Sequence, residues 1–208
     1  MRGGQRREPV ATTREPAFHG FLFLLLAGLL LSGCARSAPA SSALVVGAVY
    51  PLTGPQAAGG VDEFAGVQTA VALLNASGGI QGRPVKLAVK DASTAAAGKA
   101  AVDELSQHEH VPVILGSYSS IVSLAASVEA DHQHTVWWET GAVADEVTGR
   151  HLPYVFRTVA AGGNLGRMSA QFTDSVLLPA WRLAPSEARV VMVFEGDVYG
   201  SSVAAGAM

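Results

Sequence analysis

Cysteine and charge are both scarce in this sequence. Of its 208 residues, 15% are charged and 49% are hydrophobic, and Cys34 is its one cysteine. A single cysteine excludes a disulfide within this chain, and the apolar content excludes a disordered chain. The apolar run at residues 21–31 is too short for the roughly 20 residues that a membrane-spanning helix needs. The length leaves room for one ordinary domain or two small ones.

The sequence also lacks an excess of positive charge. Four of its 14 Lys and Arg residues and two of its 17 Asp and Glu residues lie in the first 34 positions, so the remaining chain carries a net charge of −5. Nucleic-acid binding depends on Lys and Arg side chains that neutralise phosphates. The charge therefore gives no reason to expect a nucleic-acid partner.

The first 34 residues are typical of an export signal, because basic residues precede a short apolar run. Residues Leu31–Cys34 resemble the bacterial lipobox, in which a peptidase cleaves before a cysteine that receives diacylglycerol. The pattern predicts a lipoprotein signal peptide over residues 1–34, ending at the lipidated Cys34 that anchors the chain to a membrane. A buried free thiol is the alternative for Cys34. Residues 35–42 are mostly small, polar or proline, and they predict a flexible tether.

From residue 43 onward, short β-branched runs alternate with longer helical patterns. Strands are predicted at 44–50, 85–89, 111–115, 135–138, 154–157 and 189–195. Helices are predicted at 61–76, 95–105, 121–130 and 165–178. This alternation implies right-handed crossovers and a doubly wound, largely parallel sheet, which is an α/β fold. Because such sheets bind ligands beyond the carboxyl ends of their strands, the loops that follow strands are the candidate sites.

The segment Gly116–Ser120 leaves a predicted strand and enters a predicted helix. Its hydroxyl and free N–H groups converge at the positive end of that helix, which suits a carboxylate or a similar anion. Capping of the helix by Ser119 or Ser120 is the alternative interpretation. The segment lacks the lysine and glycines of a phosphate-binding loop, and no Gly-x-Gly-x-x-Gly motif follows a predicted strand. No cofactor is therefore predicted.

Two tryptophans, a carboxylate and a glycine lie together at the end of the next predicted strand, in Trp137–Ala142. Glu139 is expected to meet a ligand cation, a tryptophan to close over an apolar group, and Gly141 to contact a ligand through its backbone. Since consecutive strand residues face opposite sides, at least one of Trp137 and Trp138 is expected in the core.

Two histidine pairs, at 108/110 and 132/134, have a spacing that points the two imidazoles of a helix apart. Both pairs leave helices at the end of the sheet opposite the predicted cleft, so they are expected to be exposed and no metal site is predicted. The cleft loops hold no Ser/His/Asp, Cys/His or paired-carboxylate arrangement either. No enzymatic activity is therefore predicted.

Longer stretches of the chain resemble a known family. Val46–Ala57 and Asn75–Val85 are similar to the opening strand and the first connection of periplasmic binding proteins of the leucine/isoleucine/valine-binding type. The resemblance continues through Val113–Ser120, Tyr154–Thr158 and Val193–Gly200, in order and at the spacing of the family. It implies the type I fold of that family, in which two α/β lobes close on a small ligand and deliver it to an ABC permease.

The resemblance also implies which residues bind the ligand. Ser120 matches the serine that takes the ligand carboxylate, Gly141 matches a backbone contact, and Tyr199 matches a tyrosine that covers the ligand from the second lobe. Val143 stands where the family has a threonine, and the aromatic residue often found near Gly59 is missing. Both departures argue against a plain leucine-like ligand, and Glu139 suits a cationic or amide-bearing one. The full set of expected ligand-binding residues is Ser119, Ser120, Glu139, Gly141, Ala142 and Tyr199.

The sequence thus predicts the extracytoplasmic, lipid-anchored solute-binding subunit of an ABC importer, for a small amino-acid-like or amide-like ligand. Residues 43–158 are expected to form the N-terminal ligand-binding lobe and residues 159–208 an incomplete second lobe, as in a truncated chain that binds weakly or not at all. Hinge closure rather than catalysis is the expected mode of action. The alternative is the ligand-sensing domain of a signalling receptor with the same fold.

Overall fold

The structure is a computed structural model, and it describes residues 42–208. The predicted signal peptide, Cys34 and most of the predicted tether lie outside the described residues. Within residues 42–208, the helices are too short or too polar to cross a membrane.

Five parallel strands form a single sheet. They are β1 (Leu44–Tyr50), β2 (Val85–Asp91), β3 (Val113–Gly116), β4 (Val136–Glu139) and β5 (Val155–Arg157). Their order across the sheet is β2-β1-β3-β4-β5, and every neighbouring pair is parallel. The order reverses between β1 and β3, so the connections after these two strands diverge and leave a crevice at their carboxyl ends. The predicted α/β fold with a parallel sheet is confirmed.

Helices connect and cover the strands. They are α1 (Ala57–Ala76), α2 (Ala95–Asp103), α3 (Ser120–His132), α4 (Glu146–Gly149), α5 (Gly162–Phe172), α6 (Leu178–Trp181) and α7 (Val198–Ala207). Wider π-type turns, Glu104–His108 and Thr173–Leu177, extend α2 and α5, and a short 3₁₀ turn covers Pro185–Glu187. Helix α1 begins earlier than predicted, because the small residues that open it carry no apolar periodicity.

The core lies between the sheet and its helices. Fully buried side chains from three strands and one helix meet there, including Val49, Ile114, Trp137 and Val122. Trp138, the next residue of β4, faces the opposite side and stacks on Phe156 with 5.9 Å between ring centroids. The expectation that at least one of the two tryptophans is a core residue is confirmed.

The prediction of a strand at 189–195 is wrong. This segment has no hydrogen-bonded strand partner within residues 42–208. Val191 and Val193 are 87% and 92% exposed. Its apolar, β-branched pattern is a local property, whereas a strand exists only where a neighbour accepts and donates its backbone hydrogen bonds. The regular elements after residue 158 are helices, and α5 packs against α7.

Candidate ligand-binding site

A cavity of about 280 Å³ opens at the carboxyl end of the sheet. Three loops contribute its first wall: Gln56 follows β1, Tyr118 and Ser120 follow β3, and Gly141 and Val143 follow β4. The segments after β1 and β3 lie on either side of the point where the strand order reverses, which is the usual place for a ligand in an open α/β sheet, and the segment after β4 is next to them.

The second wall of the cavity comes from the start of α7 and the residues before it. Glu195, Asp197 and Tyr199 line the cavity from this side. Asp197 caps α7, because its Oδ1 accepts a hydrogen bond from the N–H of Gly200 at 2.7 Å. Tyr199 is 48% exposed, so its ring is accessible to a ligand.

Three of the predicted ligand-binding residues, Ser120, Gly141 and Tyr199, thus line the same cavity. They come from separate segments of the chain, and the fold brings them together. Tyr118 and Asp197 were not predicted as site residues, although each lies in a loop that follows a predicted strand. In those two segments the family pattern marks Ser120 and Tyr199 instead.

Ser120 is the first residue of α3, and its hydroxyl has a fixed role as an acceptor. Its Oγ accepts a hydrogen bond from the N–H of Ala144 at 3.2 Å, which leaves the hydroxyl proton to donate elsewhere. The N-cap, Ser119, provides no side-chain bond to the first turn of α3, so that turn presents N–H groups at its positive end. Ser119 itself is buried, and its N–H donates to Ser117 Oγ at 3.0 Å; unlike Ser120, it does not line the cavity.

Glu139 does not line the cavity, which corrects the expectation that it meets a ligand cation. Its side chain is fully buried beneath the loop that follows β4. One carboxylate oxygen, Oε1, accepts hydrogen bonds from the N–H groups of Thr140 at 3.0 Å, Gly141 at 2.9 Å and Ala142 at 2.8 Å. Ala142 is itself buried, and its N–H, which donates to both Glu139 and the carbonyl of Ser117, is not free for a ligand.

The other carboxylate oxygen of Glu139 is also engaged. Oε2 accepts hydrogen bonds from Trp137 Nε1 at 3.1 Å and from the hydroxyl of Ser123 on α3. Burial raises the pKa of Glu139 to about 7, and the surrounding donors limit that rise because they favour the ionised form. The contacts of Glu139 are thus all with the fold itself, which the sequence did not predict.

A second carboxylate approaches the same loop from α1. Thr140 Oγ1 donates to Glu63 and lies 2.8 Å from the hydroxyl oxygen of Tyr50. Burial raises the pKa of Glu63. A Cβ placed on Gly141 would lie 2.5 Å from Cδ of Glu63, so a side chain at this position would force that carboxylate to shift.

Tyr118 supplies an aromatic face beside position 59. A Cβ placed on Gly59 would lie 2.5 Å from Cε2 of the Tyr118 ring, so the ring packs directly on this glycine of α1. Tyr118 remains 44% exposed. The aromatic residue that the family pattern places near Gly59 is thus provided here from the loop after β3.

The charge of the cavity is negative. Its lining contains the carboxylates of Glu195 and Asp197, and no Lys, Arg or His side chain from residues 42–208 contributes to it. Such a lining favours a ligand that carries a positive group on the side of α7.

Backbone and side-chain contacts join α5 and α7 to the loop after β4. The N–H of Gly162 donates to the carbonyl of Val143 at 2.7 Å, and the N–H of Gly163 donates to Asp145 Oδ1 at 3.0 Å. Ser202 Oγ accepts from the N–H of Asp145 at 3.0 Å. These contacts place the start of α7, and with it Tyr199, over the cavity.

The four histidines considered as ligands lie elsewhere. Residues 108, 110, 132 and 134 are exposed and precede β3 or β4, at the end of the sheet opposite the cavity. Across residues 42–208, no three His, Cys, Asp or Glu side chains are arranged to hold a metal ion.

The described residues thus form a parallel α/β sheet with a small, acidic, tyrosine-lined cavity at its switch point. Residues 43–207 match the model of the periplasmic binding protein family, and the chain belongs to that family.

Curated relatives agree with this assignment. The chain is 34% identical over 185 residues to Leu/Ile/Val-binding protein homolog 7 of Brucella melitensis, covering 88% of this chain and 45% of that protein. It is 36% identical over 179 residues to Leu/Ile/Val-binding protein homolog 8 of Brucella suis, covering 85% of this chain and 44% of that protein. The chain therefore spans less than half the length of these relatives.

Solved structures share the fold. The branched-chain amino acid transporter substrate-binding protein of Streptococcus pneumoniae, in complex with isoleucine, superposes with a TM-score of 0.61 at 25% identity, over 65% of this chain and 39% of that one. A substrate-binding protein of Desulfitobacterium hafniense in complex with Leu gives a TM-score of 0.65 at 19% identity, over 80% and 46%. A solute-binding protein of R. palustris in complex with benzoate gives a TM-score of 0.64 at 22% identity, over 79% of this chain and 43% of that one.

Proposed function

We propose that this protein is the extracytoplasmic solute-binding subunit of an ABC importer and that it captures a small amino-acid-like or amide-like ligand. The observation that carries the proposal is that Ser120, Gly141 and Tyr199, which come from three separate segments, line one cavity. The names of the Brucella relatives, as Leu/Ile/Val-binding protein homologs, support the amino-acid class.

The chemistry of the cavity supports a ligand with two polar ends. A protonated amine or an amide N–H is attracted to the carboxylates of Glu195 and Asp197. A carboxylate or carbonyl oxygen accepts from the Ser120 hydroxyl and from the positive end of α3. Tyr118 and Tyr199 offer ring faces to the apolar part of the ligand. The volume of about 280 Å³ suits a molecule smaller than a typical drug-sized ligand.

Binding rather than catalysis is the proposed mode of action. A ligand held between Ser120 on α3 and Tyr199 on α7 joins the two walls of the cavity, so it favours a closed arrangement over an open one. The closed form is the one that the permease engages. Because the ligand leaves unchanged, the site needs no nucleophile or general base.

The proposal includes a lipid anchor at Cys34 and a tether over residues 35–42. Both rest on the sequence, where the lipobox-like Leu31–Cys34 follows an apolar run. The anchor holds the binding lobe at the outer face of the membrane, within reach of the permease.

Calorimetric titration of the purified full-length protein tests this function. L-leucine, L-isoleucine, L-glutamine and benzoate serve as probes. We expect saturable binding of at least one amino acid and none of benzoate, and we expect Tyr199→Ala to weaken it at least tenfold. Tyr154→Ala is the matched control, since Tyr154 stacks on His134 away from the cavity. Binding of benzoate alone, or equal effects of the two tyrosine variants, would contradict the proposal.

A further inference from the structure

The buried carboxylate of Glu139 connects three elements that build the cavity. Oε1 accepts from three successive N–H groups of the loop after β4, residues 140–142. Oε2 accepts from Trp137 on β4 and from Ser123 on α3. The loop carries Gly141 and the helix begins with Ser120, and both of these residues line the cavity.

We propose that Glu139 is a positioning residue for ligand binding, which acts through the loop after β4 and never touches the ligand. One carboxylate oxygen accepts hydrogen bonds from three successive N–H groups of the loop. The other oxygen accepts from Ser123 and so connects the loop to α3. Gly141 is thereby held on the cavity wall at a fixed distance from Ser120. The proposal rests on the proposed function for its effect on affinity, but its effect on the loop is independent of any ligand.

The donor pattern around Glu139 explains why an amide of the same shape cannot replace it. All five neighbours donate, three to Oε1 and two to Oε2, and among them only the Ser123 hydroxyl can also accept. An amide at this position places its NH₂ either against the three loop N–H groups or against the indole N–H of Trp137. In both orientations at least one pair of donors faces each other inside the core, where an unpaired polar group is costly.

A competing explanation is that Glu139 only stabilises the core and that the loop finds its position without it. The two explanations differ for Glu139→Gln in the full-length protein. Amide hydrogen exchange of Gly141, measured without ligand, reports the loop, because its N–H donates to Glu139, whereas the N–H groups of Thr140 and Ala142 also donate to the carbonyls of Gly116 and Ser117. Titration with L-leucine and L-isoleucine reports the site. We expect the exchange protection of the Gly141 amide and the affinity for the bound probe each to fall at least tenfold.

The variant Ser127→Ala is the matched control for lost core stability. Ser127 is a buried serine of α3 whose hydroxyl contacts Arg150 and the carbonyl of Ser123 rather than Glu139. It should lower the melting temperature while leaving both the Gly141 amide and the affinity at wild-type values.

A rescue variant further separates the effect of Glu139 on the position of the loop from its effect on the stability of the core. In Glu139→Gln combined with Trp137→Phe, the amide can turn its oxygen to the loop and its NH₂ to Ser123, with no opposing indole donor. Loop protection and affinity should recover relative to Glu139→Gln alone, without a recovery of the melting temperature, because the smaller ring leaves a cavity in the core.

The exchange and titration results test the positioning role of Glu139 and the proposed function separately. Wild-type protection of the Gly141 amide in Glu139→Gln overturns the positioning role, and so does wild-type affinity in a variant whose Gly141 amide has lost protection. If the wild-type protein binds none of the probes, the proposed function fails, and the exchange data alone decide whether Glu139 holds the loop.

Discussion

The indole Nε1 of Trp137 lies 3.1 Å from the carboxylate of Glu139, two positions further along the same strand. Alternate residues of a strand share a face, so β4 places a tryptophan and a carboxylate side by side in the core. The carboxylate then meets the N–H groups of the next turn. A buried, hydrogen-bonded charge at the end of a strand has consequences for stability that can be measured.

The first prediction concerns pH. Burial raises the pKa of Glu139 from 4.5 to about 7, so between these values the folded protein binds a proton that the unfolded chain releases. The contribution of this group to stability is therefore greatest below pH 4.5 and is lost as pH rises to 7, by about 3 kcal/mol. Urea unfolding of the full-length protein at a series of pH values measures this slope.

The matched variant for the pH prediction is Glu139→Gln, which removes the titrating group. Glu63 titrates in the same direction in both proteins, since its pKa is also raised by burial, so the difference between the two curves isolates Glu139. The wild-type curve should fall more steeply with pH than that of the variant. Parallel curves would show that Glu139 has an ordinary pKa.

The second prediction is that Gly141→Ala damages both the site and the fold. The new Cβ lies 2.5 Å from Cδ of Glu63, so the loop or the carboxylate must move. We expect a loss of about 1–3 kcal/mol in stability and at least a tenfold loss in affinity for the bound amino acid. Adding Glu63→Ala should restore part of the stability, because it removes the side chain that the methyl group meets.

The control for Gly141→Ala is Gly66→Ala within α1, where a Cβ has no neighbour within 4 Å. Alanine in a helix interior is favoured over glycine, so this variant should gain about 0.5–1 kcal/mol without a change in affinity. Similar effects of the two substitutions would mean that the contact with Glu63 is not limiting.

The third prediction is that Ser120→Ala weakens ligand binding by about 1–3 kcal/mol, if its hydroxyl meets a charged group of the ligand. The substitution also leaves the N–H of Ala144 without its acceptor, so a modest loss of stability should accompany it. Ser175→Ala, an exposed serine whose hydroxyl bonds within its own helical segment, should change neither. Unchanged calorimetric affinity in Ser120→Ala would remove Ser120 from the site.

The fourth prediction concerns the anchor. Cys34→Ser removes the sulfur that would receive the lipid, so the exported protein should be released from the membrane fraction in a cell that expresses it. Metabolic labelling with a radioactive fatty acid should mark the wild-type protein and not the variant. Equal membrane association of the two proteins would refute lipidation at Cys34.

The sequence predicts most of the fold because the relevant signals are local. The strand Leu44–Tyr50 is predicted at its observed bounds, since it is a continuous apolar run between turn residues. The segment 189–195 has the same kind of pattern and forms no strand, since pairing depends on neighbours that a local pattern does not report. The start of α1 is also missed, because small residues carry no periodicity.

The site is predicted less completely, for a similar reason. Ser120 and Tyr199 are found because a family pattern marks them. Glu139 follows a strand and therefore reads as a cleft residue, but its surroundings come from Ser123, sixteen positions earlier on α3, and from the turn of its own loop. No spacing rule reveals that five donors converge on this carboxylate. Tyr118 is missed because its ring contact with Gly59 joins the loop after β3 to a helix far away in the sequence.

The central claim is that the cavity bounded by Ser120, Gly141 and Tyr199 binds an amino-acid-like ligand. Backbone amide chemical shifts of the full-length protein, followed by NMR during titration with L-leucine, L-isoleucine and L-glutamine, test it most directly. The account predicts that one of these probes shifts the amides of all three residues in a saturable way and leaves that of His134, at the other end of the sheet, in place. Shifts confined to other parts of the chain, or none with any of the three probes, would contradict it.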